Sequence, residues 1–179
     1  MKRIFIGSFL QSSIFKKNYI RIKKEFRGII TGRWIPEKNL HLTYRFLGNV
    51  SDTQLISIRE SLAKLLNKDI EINLELKGLG VFPSLERPRV FFVKISHQEK
   101  LHDLYAEISS RLKDVGFKDD TKTFIPHITL KRIKQANNHL LQKNIKRYED
   151  EVLGVQKKMK IYIIESVLTP QGAVYKILK

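Results

Sequence analysis

NLHLTYRFLGNV (residues 39–50) and FIPHITLKRIKQ (residues 124–135) carry one short pattern, His-x-Thr followed by an aliphatic or aromatic residue. Large residues alternate through both stretches, which reads as β-strand over residues 39–47 and 123–131. Side chains on a strand alternate between its faces, so His41 and Thr43 project to one side, and Leu40, Leu42, Tyr44 and Phe46 to the other. The same parity sets His127 beside Thr129, with Ile128 and Leu130 behind them. Each copy therefore presents an imidazole and a hydroxyl on one face and an apolar anchor on the other. Each also stands just before a helical segment. Two related lobes facing one another would bring both polar faces to a single cleft.

The remaining elements fall around these two strands. Residues 3–10 read as a first strand. A basic helix is expected over 14–27, with Ile14, Tyr19, Ile22 and Phe26 sharing an apolar face and Gly28 and Gly32 punctuating its end. Ser51 and Gln54 have the spacing of a capping box ahead of a helix over 52–67, where Leu55, Ile58, Leu62, Leu65 and Leu66 recur at helical period. Strands follow over 70–82 and 89–95, joined by a loop at 83–88. A helix over 98–115 has the stripe Leu101, Leu104, Tyr105, Ile108, Leu112 and Val115, with Gly116 at its stop. Beyond the second motif come a short helix over 138–148, a strand over 160–168, a turn at 169–172 and a last strand over 173–178. This order fits an α+β fold, with helices packed on antiparallel sheets. A chain of 179 residues is expected to form one two-lobed domain, spanning 1–179.

The charge is lopsided. Lys and Arg number 34 against 18 Asp and Glu, a formal net charge of +16. Residues 1–50 hold 11 basic residues against 2 acids and residues 131–179 hold 11 against 4, while the middle is balanced. A surface this basic attracts polyanions through phosphate contacts and counterion release; its bland counterpart is solubility. No apolar run approaches the roughly 20 residues of a membrane span, and MKRIFIGSFL turns polar too soon for a signal peptide. There is no cysteine, which excludes disulfides, thiolate zinc sites and a cysteine nucleophile, and fits a cytoplasmic setting.

Two imidazoles suit a specific task. Opening a cyclic phosphodiester with water needs one group to take a proton from the water. A second, across the phosphorus, gives a proton to the departing oxygen. Histidine, with an ordinary pKa near 6.5, serves in either state near neutrality, and each transfer contributes roughly 10²–10⁴ in rate. The hydroxyls of Thr43 and Thr129 donate to the nonbridging oxygens where negative charge gathers. No metal is required. A zinc site on His41 and His127 is a weaker reading, because no His-x-x-x-His or Glu spacing supports it and the threonines are left without a role. His97, His102 and His139 lack the pattern and read as solvated residues on or beside helices.

HLTYRFLG and HITLKR resemble the paired His-x-Thr-x motifs of the two-histidine phosphoesterase superfamily, and among them the RNA 2′,3′-cyclic phosphodiesterases once described as 2′-5′ RNA ligases. The likeness extends to RIFIGSFL at the start, PRVFFVKI in the middle and SVLTPQGAVYKIL at the end. It implies a bilobal LigT-like fold, two pseudo-symmetric lobes of antiparallel sheet with outer helices around a central cleft. It implies His41 as proton donor to the leaving 3′-oxygen and His127 as proton acceptor from water, giving a 2′-phosphomonoester, with 2′-5′ ligation as a further activity. It implies no cofactor, and as partner an RNA end bearing a 2′,3′-cyclic phosphate, tRNA fragments included, acted on by a monomer. Two alternatives stand beside it: an RNA-binding module with an inactive site, and a phosphodiesterase for small cyclic nucleotides.

The family's pattern has a phosphate-holding arginine five residues beyond the second histidine, and this matches Arg132. Strict alternation instead puts Lys131 on the face of His127, so Lys131 is the reserve candidate unless the strand twists after Leu130. Phe46 falls behind its strand and is assigned to the core. Tyr44 fills a slot more often held by a small aliphatic residue. Tyr19, Phe26 and Trp34, set among the N-terminal basic residues, serve either core packing or base stacking, with packing the commoner fate.

Overall fold

The computed structural model describes residues 1–96, 99–118, 123–170 and 172–178. Among these residues the strands are β1 (Lys2–Phe9), β2 (Ile30–Trp34), β3 (His41–Val50), β4 (Ile70–Phe82), β5 (Val90–Ile95), β6 (His127–Ala136), β7 (Val152–Met159), β8 (Tyr162–Thr169) and β9 (Gly172–Leu178). The helices are α1 (Ser13–Glu25), α2 (Asp52–Leu62), α3 (Glu99–Asp114) and α4 (Asn138–Arg147), with a 3-10 turn at Glu37–Asn39. The strands run antiparallel in the order β7-β4-β5-β6-β3-β1-β8-β9, and β2 pairs with β6. No helix of the described residues is long and apolar enough to cross a membrane.

The α+β class and its two halves are as expected. β6, β5, β4, β7 and β2 make one half, and β3, β1, β8 and β9 the other. They join through β3 and β6, whose ladder consists of the single pair Leu42 and Ile128. Beyond that pair the same edge of β6 is taken by β2, from Lys131 opposite Trp34 to Ala136 opposite Ile30. The halves also exchange helices. α1 packs on β7, where the Asn18 side-chain amide donates to the Leu153 carbonyl at 2.8 Å. α3 packs against α2 and β3, and the Ser61 hydroxyl donates to the Arg111 carbonyl at 2.8 Å.

Local sequence explains these helices. The predicted capping box forms: the Ser51 hydroxyl accepts from the Gln54 backbone N–H while the Gln54 side chain accepts from the Ser51 N–H. That secures the start of α2, which ends at Leu62, earlier than its periodicity suggests. In α1 the buried stripe is Phe15, Tyr19, Ile22 and, just past the end, Phe26. Ile14 is half exposed, displaced from the stripe by its larger neighbour Phe15. The stripe of α3 buries Leu101, Leu104, Ile108 and Leu112 as expected. Each of these large apolar side chains contributes about 1.5–3 kcal/mol on leaving water.

Three strand assignments change by more than three residues. β6 begins at His127, four residues later than read, and continues to Ala136. β2 escapes the sequence reading because its middle three residues are all exposed, so no alternation marks it. β7 escapes it because register shifts in its pairing with β4 break the period of its buried positions.

Candidate active site

Antiparallel pairing of Leu42 with Ile128 fixes the neighbours of that pair. His41 stands across from Thr129, and Thr43 across from His127. Leu42 and Ile128 are buried on the opposite face. One junction thus brings all four motif side chains into a cleft of about 550 Å³ between the halves, and all four line it.

Both imidazoles are held in the same way. His41 Nδ1 lies 2.6 Å from the Asn39 carbonyl oxygen, and His127 Nδ1 lies 2.7 Å from that of Ile125. A carbonyl only accepts, so each Nδ1 carries the proton and donates it, which leaves each Nε2 as the ring nitrogen open to another partner. Rings fix the remaining freedom. Tyr175 meets His41 edge-on at 4.9 Å between centroids, Phe5 lies at 4.9 Å on another side, and Phe82 and Phe92 flank His127 at 5.0 and 5.1 Å. Burial pushes the pKa of both imidazoles below the ordinary 6.5, and the positive charge of Arg132 pushes the same way. The neighbouring His127 lowers His41 further.

A β-bulge determines which of Arg132 and Lys131 faces the cleft. β5 places Phe92 opposite Thr129 and Phe91 opposite Lys131, so Leu130 is an extra residue without a partner on β5. Parity reverses after it. Lys131 turns into the core, 5% exposed, donates to the Ile30 carbonyl at 2.9 Å and sits over the Trp34 ring. Arg132 is exposed and lines the cleft.

The first motif does the same. β1 places Gly7 opposite Thr43 and Ile6 opposite Arg45, so Tyr44 is the extra residue. Arg45 goes inward, 4% exposed, and donates to the Lys118 carbonyl at 2.5 Å. Phe46 therefore swings out of the core where alternation puts it and into the cleft wall, 63% exposed. Gly7 is required at this bend, because a Cβ there would lie 2.7 Å from the Leu42 carbonyl oxygen.

A family model described as LigT like Phosphoesterase matches the chain twice, over residues 11–92 and 93–175. The chain belongs to the LigT-like phosphoesterases. Each matched segment holds one His-x-Thr motif. An RNA 2′,3′-cyclic phosphodiesterase of Aquifex aeolicus is 34% identical over 179 residues, covering 99% of this chain and 95% of its own. A protein of the same name from Archaeoglobus fulgidus is 31% identical over 177 residues, covering 99% and 98%. Among solved structures, TT0787 of Thermus thermophilus superposes with a TM-score of 0.80 at 24% identity, and Escherichia coli LigT complexed with 3′-AMP with 0.73 at 21%; each alignment covers 99% of this chain and 95% of the other. At these identities the structural likeness is one of fold.

Sequence reasoning missed several residues of this LigT-like phosphoesterase site. Asn39 supplies the carbonyl that holds His41, and its own side-chain amide donates to the Ala173 carbonyl at 3.1 Å, tying β9 to the first motif. Phe5, Phe82, Phe92 and Tyr175 are ordinary strand aromatics in the sequence, and only the pairing of distant strands brings them to the imidazoles. Tyr19 and Phe26 are core residues, and Trp34 packs beside them. Tyr44 is buried, its hydroxyl 3.2 Å from that of Ser8. His139 is exposed, the His102 ring packs edge-on against Phe124, and His97 lies outside the described residues. No three His, Cys, Asp or Glu side chains cluster as a metal site among the described residues, and no Asp or Glu among them lines the cleft.

Proposed function

We propose that this chain hydrolyses the 2′,3′-cyclic phosphodiester at RNA ends to a 2′-phosphomonoester, with His41 as proton donor and His127 as proton acceptor and no metal in the reaction. The observation that carries the reading is the pair of imidazoles, each with Nδ1 tied to a carbonyl and Nε2 left for the cleft, alternating with two threonines across one strand junction.

In the first half of the step His127 Nε2 takes a proton from water as its oxygen bonds to phosphorus. In the second half the bond from phosphorus to the 3′-oxygen breaks, and His41 gives that oxygen its proton. Atoms balance, and the two rings regain their starting states by exchanging protons with solvent. The hydroxyls of Thr43 and Thr129 donate to the nonbridging oxygens, and Arg132 neutralises them. His41 must be charged to act, against its burial. A bound phosphate monoanion supplies the opposing charge and raises the ring's pKa again. With the 5′-hydroxyl of a second RNA in place of water, the same displacement joins the two ends through a 2′-5′ bond.

The curated relatives' names and the chain's basic charge both support RNA as the substrate. The reading takes the enzyme as a monomer of one domain working in the cytoplasm. The test is incubation of an oligonucleotide ending in a 2′,3′-cyclic phosphate, with the product phosphate located. A 2′-phosphate is expected. A 3′-phosphate would reverse the leaving group, and salt-sensitive binding without turnover would make the protein an RNA-binding module.

A further inference from the structure

Arg33 and Arg132 are cross-strand partners on β2 and β6. Directly opposite residues of an antiparallel pair share a face, and like charges placed so repel one another. Both are exposed, both line the cleft, and among the described residues neither has a carboxylate within ion-pairing distance. The pairing is also costly to build. Gly32, at φ 125°, takes the bend that brings β2 onto Arg132, and a Cβ there would lie 2.1 Å from the Arg132 carbonyl oxygen.

The two arginines differ in reach. The charge of Arg132 acts on both imidazoles. Arg33 instead reaches toward the turn between β8 and β9, where its guanidinium lies beside Pro170 and Gly172. One of its five N–H donors goes to the Pro170 carbonyl, at 3.2 Å, which steadies the guanidinium and leaves the others for an anion. An RNA end that carries a cyclic phosphate has its remaining phosphates on one side only, beginning with the 5′ phosphodiester of the terminal nucleotide.

We propose that Arg33 holds this neighbouring phosphodiester, so that the enzyme selects oligonucleotide ends over mononucleoside cyclic phosphates. The inference rests on the cyclic-phosphodiesterase reading of the cleft and adds a second phosphate subsite to it. It also gives the unpaired Arg33 and Arg132 a shared function, since two adjacent phosphates offset the repulsion between them.

The test compares a mononucleoside 2′,3′-cyclic phosphate with a dinucleotide ending in the same cyclic nucleotide, using the native protein and the variants Arg33→Gln and Arg33→Lys. The native protein is expected to favour the dinucleotide by about tenfold in kcat/KM, the worth of one charge-assisted hydrogen bond. In Arg33→Gln the ratio should fall to about one, and the salt dependence for the dinucleotide should become shallower by about 0.7 in log–log slope. Arg33→Lys, which keeps the charge, should retain most of that slope. A merely structural loss of the Pro170 contact would lower both substrates together and leave the ratio intact. The same ratio in the native protein and Arg33→Gln overturns the subsite alone. No turnover of either substrate by the native protein overturns the functional reading, and the subsite with it.

Discussion

Tyr44 and Leu130 occupy equivalent places in the two motifs, each as the extra residue of a β-bulge that follows the second motif residue, threonine. The two bulges turn Arg45 and Lys131 into the core and Phe46 and Arg132 into the cleft. A regular strand would have done the opposite. The bulge is what lets a strand carry histidine and threonine on one face and still bring the fifth residue beyond the histidine to the same side.

The two adjacent cations at the second bulge should therefore separate in their effects. Lys131→Met should lower stability by roughly 1–3 kcal/mol, as its bond to the Ile30 carbonyl is lost, with KM within about twofold. Arg132→Gln should leave the melting temperature nearly unchanged and lower kcat/KM by about a hundredfold. Thermal unfolding and steady-state kinetics on both variants check this, and a kinetic loss confined to Lys131→Met would contradict the placement.

The histidine environment sets the pH profile. Both imidazoles lie below 6.5, and Arg132 is one cause. The profile of kcat/KM reports the free enzyme, so it should already be falling above about pH 6.5, as the acid loses its proton. Removing a positive neighbour raises both pKa values, so Arg132→Gln should carry the alkaline limb to higher pH even as it slows turnover. An alkaline limb that stays in place would show that Arg132 does not act on the rings.

Stability follows from the same shifts. The unfolded chain binds protons at these histidines more readily than the folded one, so their contribution is complete above 6.5 and is lost as pH falls through the depressed values. The double variant His41→Gln with His127→Gln should lose less stability than the native protein between about pH 7 and about pH 5, as read by urea midpoints.

Donor and acceptor roles are separable by leaving group. A cyclic substrate with sulfur at the 3′ position departs as a thiolate, with a conjugate acid near pKa 8.5, and needs no proton. It should restore His41→Gln by at least about tenfold relative to the oxygen substrate and do nothing for His127→Gln. The reverse pattern would exchange the two roles.

Much of the fold was legible because its signals are local. The capping box at Ser51, the stripe from Leu101 to Leu112 and the doubled His-x-Thr each specify an element from a few neighbouring residues. What stayed hidden depends on partners far away in the chain. Strict alternation misplaced Phe46 because the bulge at Tyr44 is fixed by its pairing with β1, around Gly7. Family resemblance points to Arg132 and parity to Lys131, and it is Arg132 that reaches the cleft, for the same reason at Leu130. β2 carried no pattern at all, since β6 alone makes it a strand. The carbonyls of Asn39 and Ile125 that set both ring orientations are backbone groups, and no residue type announces them.

The threonines should act on rate more than on binding. Replacing Thr43 or Thr129 by valine keeps shape and removes the hydroxyl that the proposed mechanism aims at the nonbridging oxygens, which should lower kcat by about 10²–10³ with little change in melting temperature. A rise in KM at unchanged kcat would mean that they bind the ground state and the transition state equally.

The central claim is that two imidazoles, one from each half, share the proton transfers. Its most direct measurement is single-turnover cleavage of an oligonucleotide ending in a 2′,3′-cyclic phosphate by His41→Gln and by His127→Gln. Each variant should fold as the native protein does and lose at least about a hundredfold in rate, with the native enzyme unaffected by chelator and yielding a 2′-phosphate. Native-like turnover in either variant would contradict the account.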